Sequence, residues 1–504
     1  MKSQGDTRRP RSVKAEFDPR FAATARGGAV LAEKTMRSLR VRRWIGEHLP
    51  PRRPAAEYQT ADGVYALLAG LLLGGKGEQA AQALREDKLA AEIFGLEKGA
   101  PSASTVYRVL CDLAGLPERK REDHYAASGR TLPALDMLGG LRRTPRRRRI
   151  VPEAPEAATP ESRAALDAFV AASAKSCAQA LPRKMLRLRD WYVVFGDGTD
   201  LEVDGNCFDA AHVGRGGEKL LRWLTLMLGP VTVAEALLPG DADEGLELPA
   251  LLEQAGGCVR ELVGLNGRVL ALMDAAYFER QVIEPLGVLK WDFIIGANQQ
   301  RDVLTRLAEA QPAVVWSASG ADARRRWAES QVCCFTHLPG GWDAPVTVVA
   351  RRWRFTDEFP GMWHYAFVGT RLGPEDLPPG LLKKHGYCSA IWMLYGAKQG
   401  RENHYKTPLL DFGLHHPPSG RLGVSQAFYA LGAVASNLAM VLRYRVLPGA
   451  ERGMRFWRLR ERYFQIAGYL VRGGRTLTVR LSGVCVDALR QTLWRRSFAC
   501  AGRL

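Results

Sequence analysis

The chain has nine cysteines, yet they lack ligand spacing: Cys333 and Cys334 are the one close pair, and neither CxxC nor a Cys/His cluster occurs. That scatter argues against a structural zinc and against a disulfide scaffold, and favours a reducing compartment. The N-terminal MKSQGDTRRPRSVK has no apolar stretch of the kind a secretory leader needs. No apolar run reaches the length of a membrane span, and VYALLAGLLLG at 64–74 reads instead as a buried helix. No repeat recurs at a period of about 20–50 residues, which argues against a solenoid. Acidic residues are outnumbered, with 71 Lys and Arg against 53 Asp and Glu and a net charge of +18. A polyanion is the natural partner. With 46% hydrophobic residues the chain is a folded globule rather than a basic tail, which favours nucleic acid over a membrane surface. A cytoplasmic protein is expected.

At 504 residues, about two to four domains are expected. Residues 1–55 are basic and proline-rich and read as a flexible arm. Residues 56–130 have helical spacing, with Ser102 at a capping position before VYRVL, and suit either a DNA-binding domain or a plain helical bundle. Residues 131–188 read as a basic linker holding PEAPEAATPE and the run Arg142, Arg143, Arg146, Arg147, Arg148 and Arg149, a phosphate-binding patch.

From 189 the pattern becomes α/β. WYVVFGD, LEV and LRWLTLML read as strands, EGLELPALLEQA as a helix, RVLALMD as a buried strand, AYFERQVIEPL as a helix and WDFIIGAN as a strand. Asp197 and Asp274 are expected at the ends of the first and fourth of these strands. This order predicts an RNase-H-like mixed-sheet core at 189–299 and 386–445. An all-β insertion at 300–385 interrupts it, with strands in AVVWSA, SQVCCFTHL, APVTVVARRWRF and HYAFVGT. The insertion holds Trp316, Trp327, Trp342, Trp353 and Trp363, enough aromatic surface to stack an unpaired base. A strong helix at 426–444 precedes a basic C-terminal region at 446–504, with a helical start and a hairpin near Gly473.

The helical part of YGAKQGRENHYKTPLLDFGL (395–414) has a single carboxylate, Glu402, among basic residues. At about 100° per residue, Tyr395, Lys398, Glu402 and Lys406 share one face, with Arg401 beside them. A carboxylate among cations and a tyrosine suits a divalent metal held beside a phosphate. Two hard cations about 4 Å apart can activate an attacking oxygen and stabilise a leaving one, and the protein's part is a few Asp and Glu oxygens. Asp197, Asp274 and Glu402 can supply them. Asp200, Glu202, Asp204 and Asp209 follow Asp197 closely, and one of them becomes the ligand if the register is shifted. Alternation makes Asp200, Glu202 and Asp204 a solvated strand face.

This ordered set resembles the bacterial insertion-sequence DDE transposases of the Y-x2-R-x3-E-x6-K group. Asp197 stands in the DGT form of their first motif, Asp274 in MDAAYF resembles the second, and Tyr395 and Glu402 match the third. Lys398 stands where the pattern has Arg, losing the bidentate fork, and Leu409 where it has Lys. Lys406 is the candidate to replace that lysine, and Pro408 is expected to end the helix at Thr407. The likeness covers residues 190–445. It implies Asp197, Asp274 and Glu402 as catalytic metal ligands, two Mg²⁺ ions (Mn²⁺ substituting), and DNA contacts from Tyr395, Lys398, Arg401 and Lys406. It also implies terminal inverted repeats and target DNA as partners, a hairpin intermediate and a homodimeric synaptic complex. A metal-dependent nuclease that does not join DNA, and a catalytically inactive DNA-binding regulator, are the alternative functions. Asp411 is expected to cap or orient a turn, and His404, His415 and His416 to be structural or DNA-facing.

Overall fold

Alternation builds the centre of the molecule. The computed structural model describes residues 23–118, 155–203, 208–214, 217–297, 301–310, 315–319, 327–359, 361–473, 476–483 and 486–504. Strand β1 (Trp191–Glu202) runs unbroken through both WYVVFGD and LEV, so Asp197 lies in mid-strand and not at its end. It is followed by β2 (Lys219–Leu228), β3 (Val231–Leu238), β4 (Val269–Met273) and β5 (Asp292–Gly296). β3 was not expected. Seven of its eight residues are buried, so it shows no apolar alternation, and Ala234, Glu235 and Ala236 favour helix. Two expected strands therefore merge and one unexpected strand appears, with two-residue strands at Arg187–Leu188 and His212–Val213 beside them.

The described strands Trp327–His337 (β6), Val346–Phe355 (β7) and His364–Thr370 (β8), with the two-residue Ser317–Ala318 on the edge of β6, do not form a separate sheet. They extend the same one, in the order β3-β2-β1-β4-β5-β8-β7-β6. β1, β4 and β5 are mutually parallel, and the neighbours on either side are antiparallel. The stretch from 300 also opens with a helix, Arg301–Ala310, before its strands begin.

The long helices are α1 (Thr60–Leu73), α2 (Ala103–Ala114), α3 (Pro160–Ala180), α4 (Glu244–Val263), α5 (Arg280–Val288), α6 (Tyr387–Tyr395), α7 (Ala397–Lys406), α8 (Leu422–Val441) and α9 (Ala488–Ala501). α3 replaces the second half of the expected linker. Thr159 accepts the Ser162 N–H as a cap and Pro160 fills the first turn, a start signal carried by the sequence itself. Residues 30–48, expected in the flexible arm, form helices Val30–Ser38 and Val41–His48 and bury Leu31, Met36, Val41, Trp44 and Ile45.

α8 is the axis of the core. Leu422–Val446 has the length and composition of a membrane span, contrary to the sequence reading, but 94% of its apolar window is buried inside the protein. It packs on α1, α2, α3 and β3. Asn437 fastens it, accepting the Thr232 N–H and donating to Thr232 O and to Ser173 Oγ, so a buried amide is satisfied across three elements. At its start the buried Arg421 donates to Glu156 Oε2 at 2.8 Å and to Pro117 O at 2.7 Å.

The C-terminal region is mostly structured. Gly468–Arg472 (β9) and Leu477–Leu481 (β10) form the expected hairpin, and Ala23–Thr24 adds to its edge. Its arginines are largely engaged. Arg460 donates to the carbonyls of Leu71 and Leu72 at the end of α1 and lies against Phe412 and Phe456, and burial pulls its pKa down to about 10. Arg472 pairs with Glu92 and Arg490 donates to Arg462 O.

Candidate active site

The pleat brings two carboxylates to one place. Trp191, Val193 and Phe195 of β1 and Leu270 and Leu272 of β4 face a core sealed by Ala390, Ile391 and Leu394 of α6. Continuing each strand by its period of two, Asp197 and Asp274 follow on this same face. Gly196 pairs with Met273 in parallel register, so the two aspartates stand side by side at the next position. β5 adds Gly296, since Met273 pairs with Ile295. A Cβ on Gly296 would sit 3.0 Å from the Tyr395 hydroxyl and 2.9 Å from the Ala275 nitrogen, so glycine makes room for the tyrosine. That hydroxyl donates to Met273 O at 3.3 Å, tying α6 to the strand end that carries Asp274.

Lys398, in the first turn of α7, completes the group. Its Nζ lies 2.9 Å from Asp274 Oδ2 and 3.9 Å from Asp197 Oδ1. The lysine side chain is 8% exposed, Asp197 19% and Asp274 52%, so the ammonium lies beneath carboxylates that open to solvent. The sequence reading sent Lys398 outward to a phosphate; here it neutralises the acid pair. Glu402 lies one turn further along α7. The side chains of Arg401 and Glu402 are outside those described, as is the whole run Arg142–Arg149. Lys406 is exposed at the helix end.

The α-helix ends with Thr407 as its C-cap, as expected, and the chain continues as a π-helical turn, Thr407–Asp411. Pro408 has no N–H to give, and the wider turn is closed by Phe412 N donating to Thr407 O at 3.2 Å. Leu409 is half-buried against the core, so that position faces inward. Asp411 accepts from the Phe456 N–H at 3.2 Å and from Arg455 at 2.9 Å, capping the helix Phe456–Tyr463 as expected for a turn-orienting acid. His404 is buried against Tyr444, and His415 Nδ1 bonds Leu409 O at 2.6 Å.

Asp200 and Glu202 do not join Asp197. Asp200 and Glu202 are exposed on the opposite face, and Asp200 pairs with Arg222 at 3.3 Å. Asp204 lies outside the described residues. One acid was missed by the sequence reading. Glu244 opens α4 behind a helix cap made by Asp243, and its carboxylate lies 2.2 Å from where a Cβ on Gly198 would be. Tyr277 of the DAAYF segment donates to it. The glycine of DGT and the tyrosine of DAAYF thus serve a support on the far side of β1. Asp243-Glu244 at a helix start was the available signal.

The insertion's rings are largely stacked on one another. Trp327 and Trp353 lie 5.2 Å apart at 25°, Trp353 continues onto His364, and the Arg351 guanidinium lies over Trp327 and Trp392. Arg352 lies over Trp316 and Trp363, and Trp342 packs on Phe278.

With this geometry in view, residues 228–496 match the family model described as "Transposase DDE domain group 1", more than half of the chain. The protein is a DDE transposase. The matched span includes Asp274, Lys398 and Glu402 and begins after Asp197. No curated protein matches the chain. Among solved structures, a piggyBac transposase synaptic complex with hairpin DNA aligns over 82% of this chain and 74% of its own, at 10% identity and a TM-score of 0.39. Transposases of this family transfer polynucleotide strands, and the transposase described here carries its clustered acids side by side on adjacent parallel strands, Asp197 within β1 and Asp274 just past the end of β4.

Proposed function

We propose that this transposase binds the terminal inverted repeats of a mobile element in the cytoplasm and catalyses metal-dependent DNA cleavage and strand transfer. The observation that carries this reading is the side-by-side position of Asp197, within β1, and Asp274, just past β4, under the helix of Glu402. The mixed sheet, with a parallel centre and antiparallel flanks, supports an RNase-H-like core.

The donor set fits a hard divalent ion. Asp197 and Asp274 already gather around one cation, the Lys398 ammonium, and offer carboxylate oxygens. Asp197, Asp274 and Glu402 would hold Mg²⁺, which supplies activation of the attacking oxygen and stabilisation of the leaving one. Tyr395 fixes the strand end beneath Asp274, and the exposed Lys406 would orient a flanking phosphate. Residual +18 charge favours DNA broadly, and a homodimeric synaptic complex follows from the family likeness.

The test is strand cleavage of a duplex carrying the repeats that flank the gene, in Mg²⁺ or Mn²⁺. Asp197→Asn and Asp274→Asn should each abolish nicking and joining while leaving DNA binding measured without divalent metal within about twofold, because neither removes a cation that touches phosphate. Normal nicking by either variant would remove that residue from the site. Nicking without joining, in the unmodified protein, would favour a nuclease.

A further inference from the structure

The cation at the centre of the acid pair is the protein's own. Two carboxylates on neighbouring strands repel, and water reaches them from the Asp274 side only in part. Lys398 relieves that repulsion from beneath, at 2.9 Å and 3.9 Å, from an almost fully buried position. Its helix is anchored independently, through α6 and the Tyr395 hydroxyl on Met273 O. Lysine suits such a role: its charge is compact and its four-carbon stem can swing, whereas a guanidinium presents a rigid fork.

We propose that Lys398 is a resident counter-ion that competes with divalent metal for Asp197 and Asp274, so that metal loading is coupled to the arrival of DNA. Without DNA, a divalent ion entering the pair must displace the ammonium or sit beside it at like-charge cost. A backbone phosphate at the site offers the ammonium another anion, releases the carboxylates and raises their affinity for metal. Linkage makes the effect reciprocal, with metal strengthening DNA binding to the same degree. Lys398 is thus a positioning residue that keeps the carboxylates together and limits metal occupancy of the free protein. This rests on the reading of Asp197 and Asp274 as metal ligands.

The experiment is Mn²⁺ binding to the full chain, followed by calorimetry and by loss of the free-ion electron paramagnetic resonance signal, with and without a short DNA duplex. Lys398→Gln should bind Mn²⁺ about tenfold more tightly than the unmodified protein in the absence of DNA, within the usual range of coupling between two ligands. Adding duplex should raise affinity strongly in the unmodified protein and much less in Lys398→Gln. Lys398→Met, which keeps the aliphatic stem, guards against a folding defect in the glutamine variant, and Asp274→Asn combined with Lys398→Gln locates the binding at this pair. Equal Mn²⁺ affinity with and without Lys398, in proteins whose binding is lost on Asp274→Asn, would overturn the counter-ion role and leave the metal site standing. Binding indifferent to Asp274→Asn would overturn both. A lysine that merely stabilises the fold would lower the melting temperature without moving metal affinity.

Discussion

Two clusters in this sheet have the same charges and opposite characters. On β3, Glu235 is buried in the core and shares Arg163 with Asp167; between β1 and β4, Asp197 and Asp274 share Lys398. Each has two carboxylates and one cation. In the first, the Arg163 Nη2 lies 2.8 Å from Asp167 and 3.2 Å from Glu235, and the Trp223 indole donates to the remaining Glu235 oxygen at 2.9 Å. Burial pushes the Glu235 carboxyl above its usual range, against the pull of Arg163. That cluster is closed: one guanidinium nitrogen and an indole occupy it, and α3 and β2 hold them. The second is open, with a point-charge cation below and a half-exposed Asp274 above. The same charge count serves to join elements where burial encloses the carboxylates, and to receive a ligand where one of them opens to solvent.

The largest effect on stability should come from breaking the closed cluster. Arg163→Met leaves Glu235 buried without its cation and should cost about 3–5 kcal/mol in chemical denaturation. Mn²⁺ binding by the remaining folded protein should be unchanged; a loss below about 1 kcal/mol would mean that the cluster is not closed in the sense described.

The next effect is in pH. The folded Glu235 keeps its proton at pH values where the unfolded chain has already released it, so its contribution falls as pH rises through a window that opens near 4.5 and extends to the raised folded value. Glu235→Gln should therefore flatten the decline of stability with pH across that window relative to the unmodified protein. Parallel pH profiles for the two proteins would show that Arg163 fully offsets burial.

The smallest effect should come from Asp200, three residues from Asp197 but on the other face of β1. Its carboxylate is more than half exposed and its partner Arg222 is 3.3 Å away. Asp200→Asn should change stability by less than about 1 kcal/mol and leave both Mn²⁺ binding and strand cleavage intact. A loss of metal binding there would shift the site by one face and dissolve the contrast between the clusters.

Much of this was legible along the chain. Trp191, Val193, Phe195 and Asp197 lie at a spacing of two, so their common face is a property of any strand they form. Tyr395, Lys398 and Glu402 are likewise a helical spacing before they are a site. Less visible were elements whose stability is not local. α3 is rich in small residues and has a weak apolar stripe, and β3 is covered on both sides, so neither shows the periodicity by which a sequence declares itself.

The sequence alone determined that acids would lie on particular strand and helix faces, that Asp411 would serve a turn, and that the chain would carry a polyanion-seeking charge. These follow from local geometry and composition. Only the tertiary structure decided that Asp197 and Asp274 are neighbours, because the Gly196–Met273 register joins strands separated in the chain by β2, β3 and α4. It alone turned Lys398 inward, since that direction depends on how α6 packs over β5, β6 and β7. It also turned Arg460 from a surface charge into the cap of α1, because which charges meet solvent is settled only when distant segments have packed.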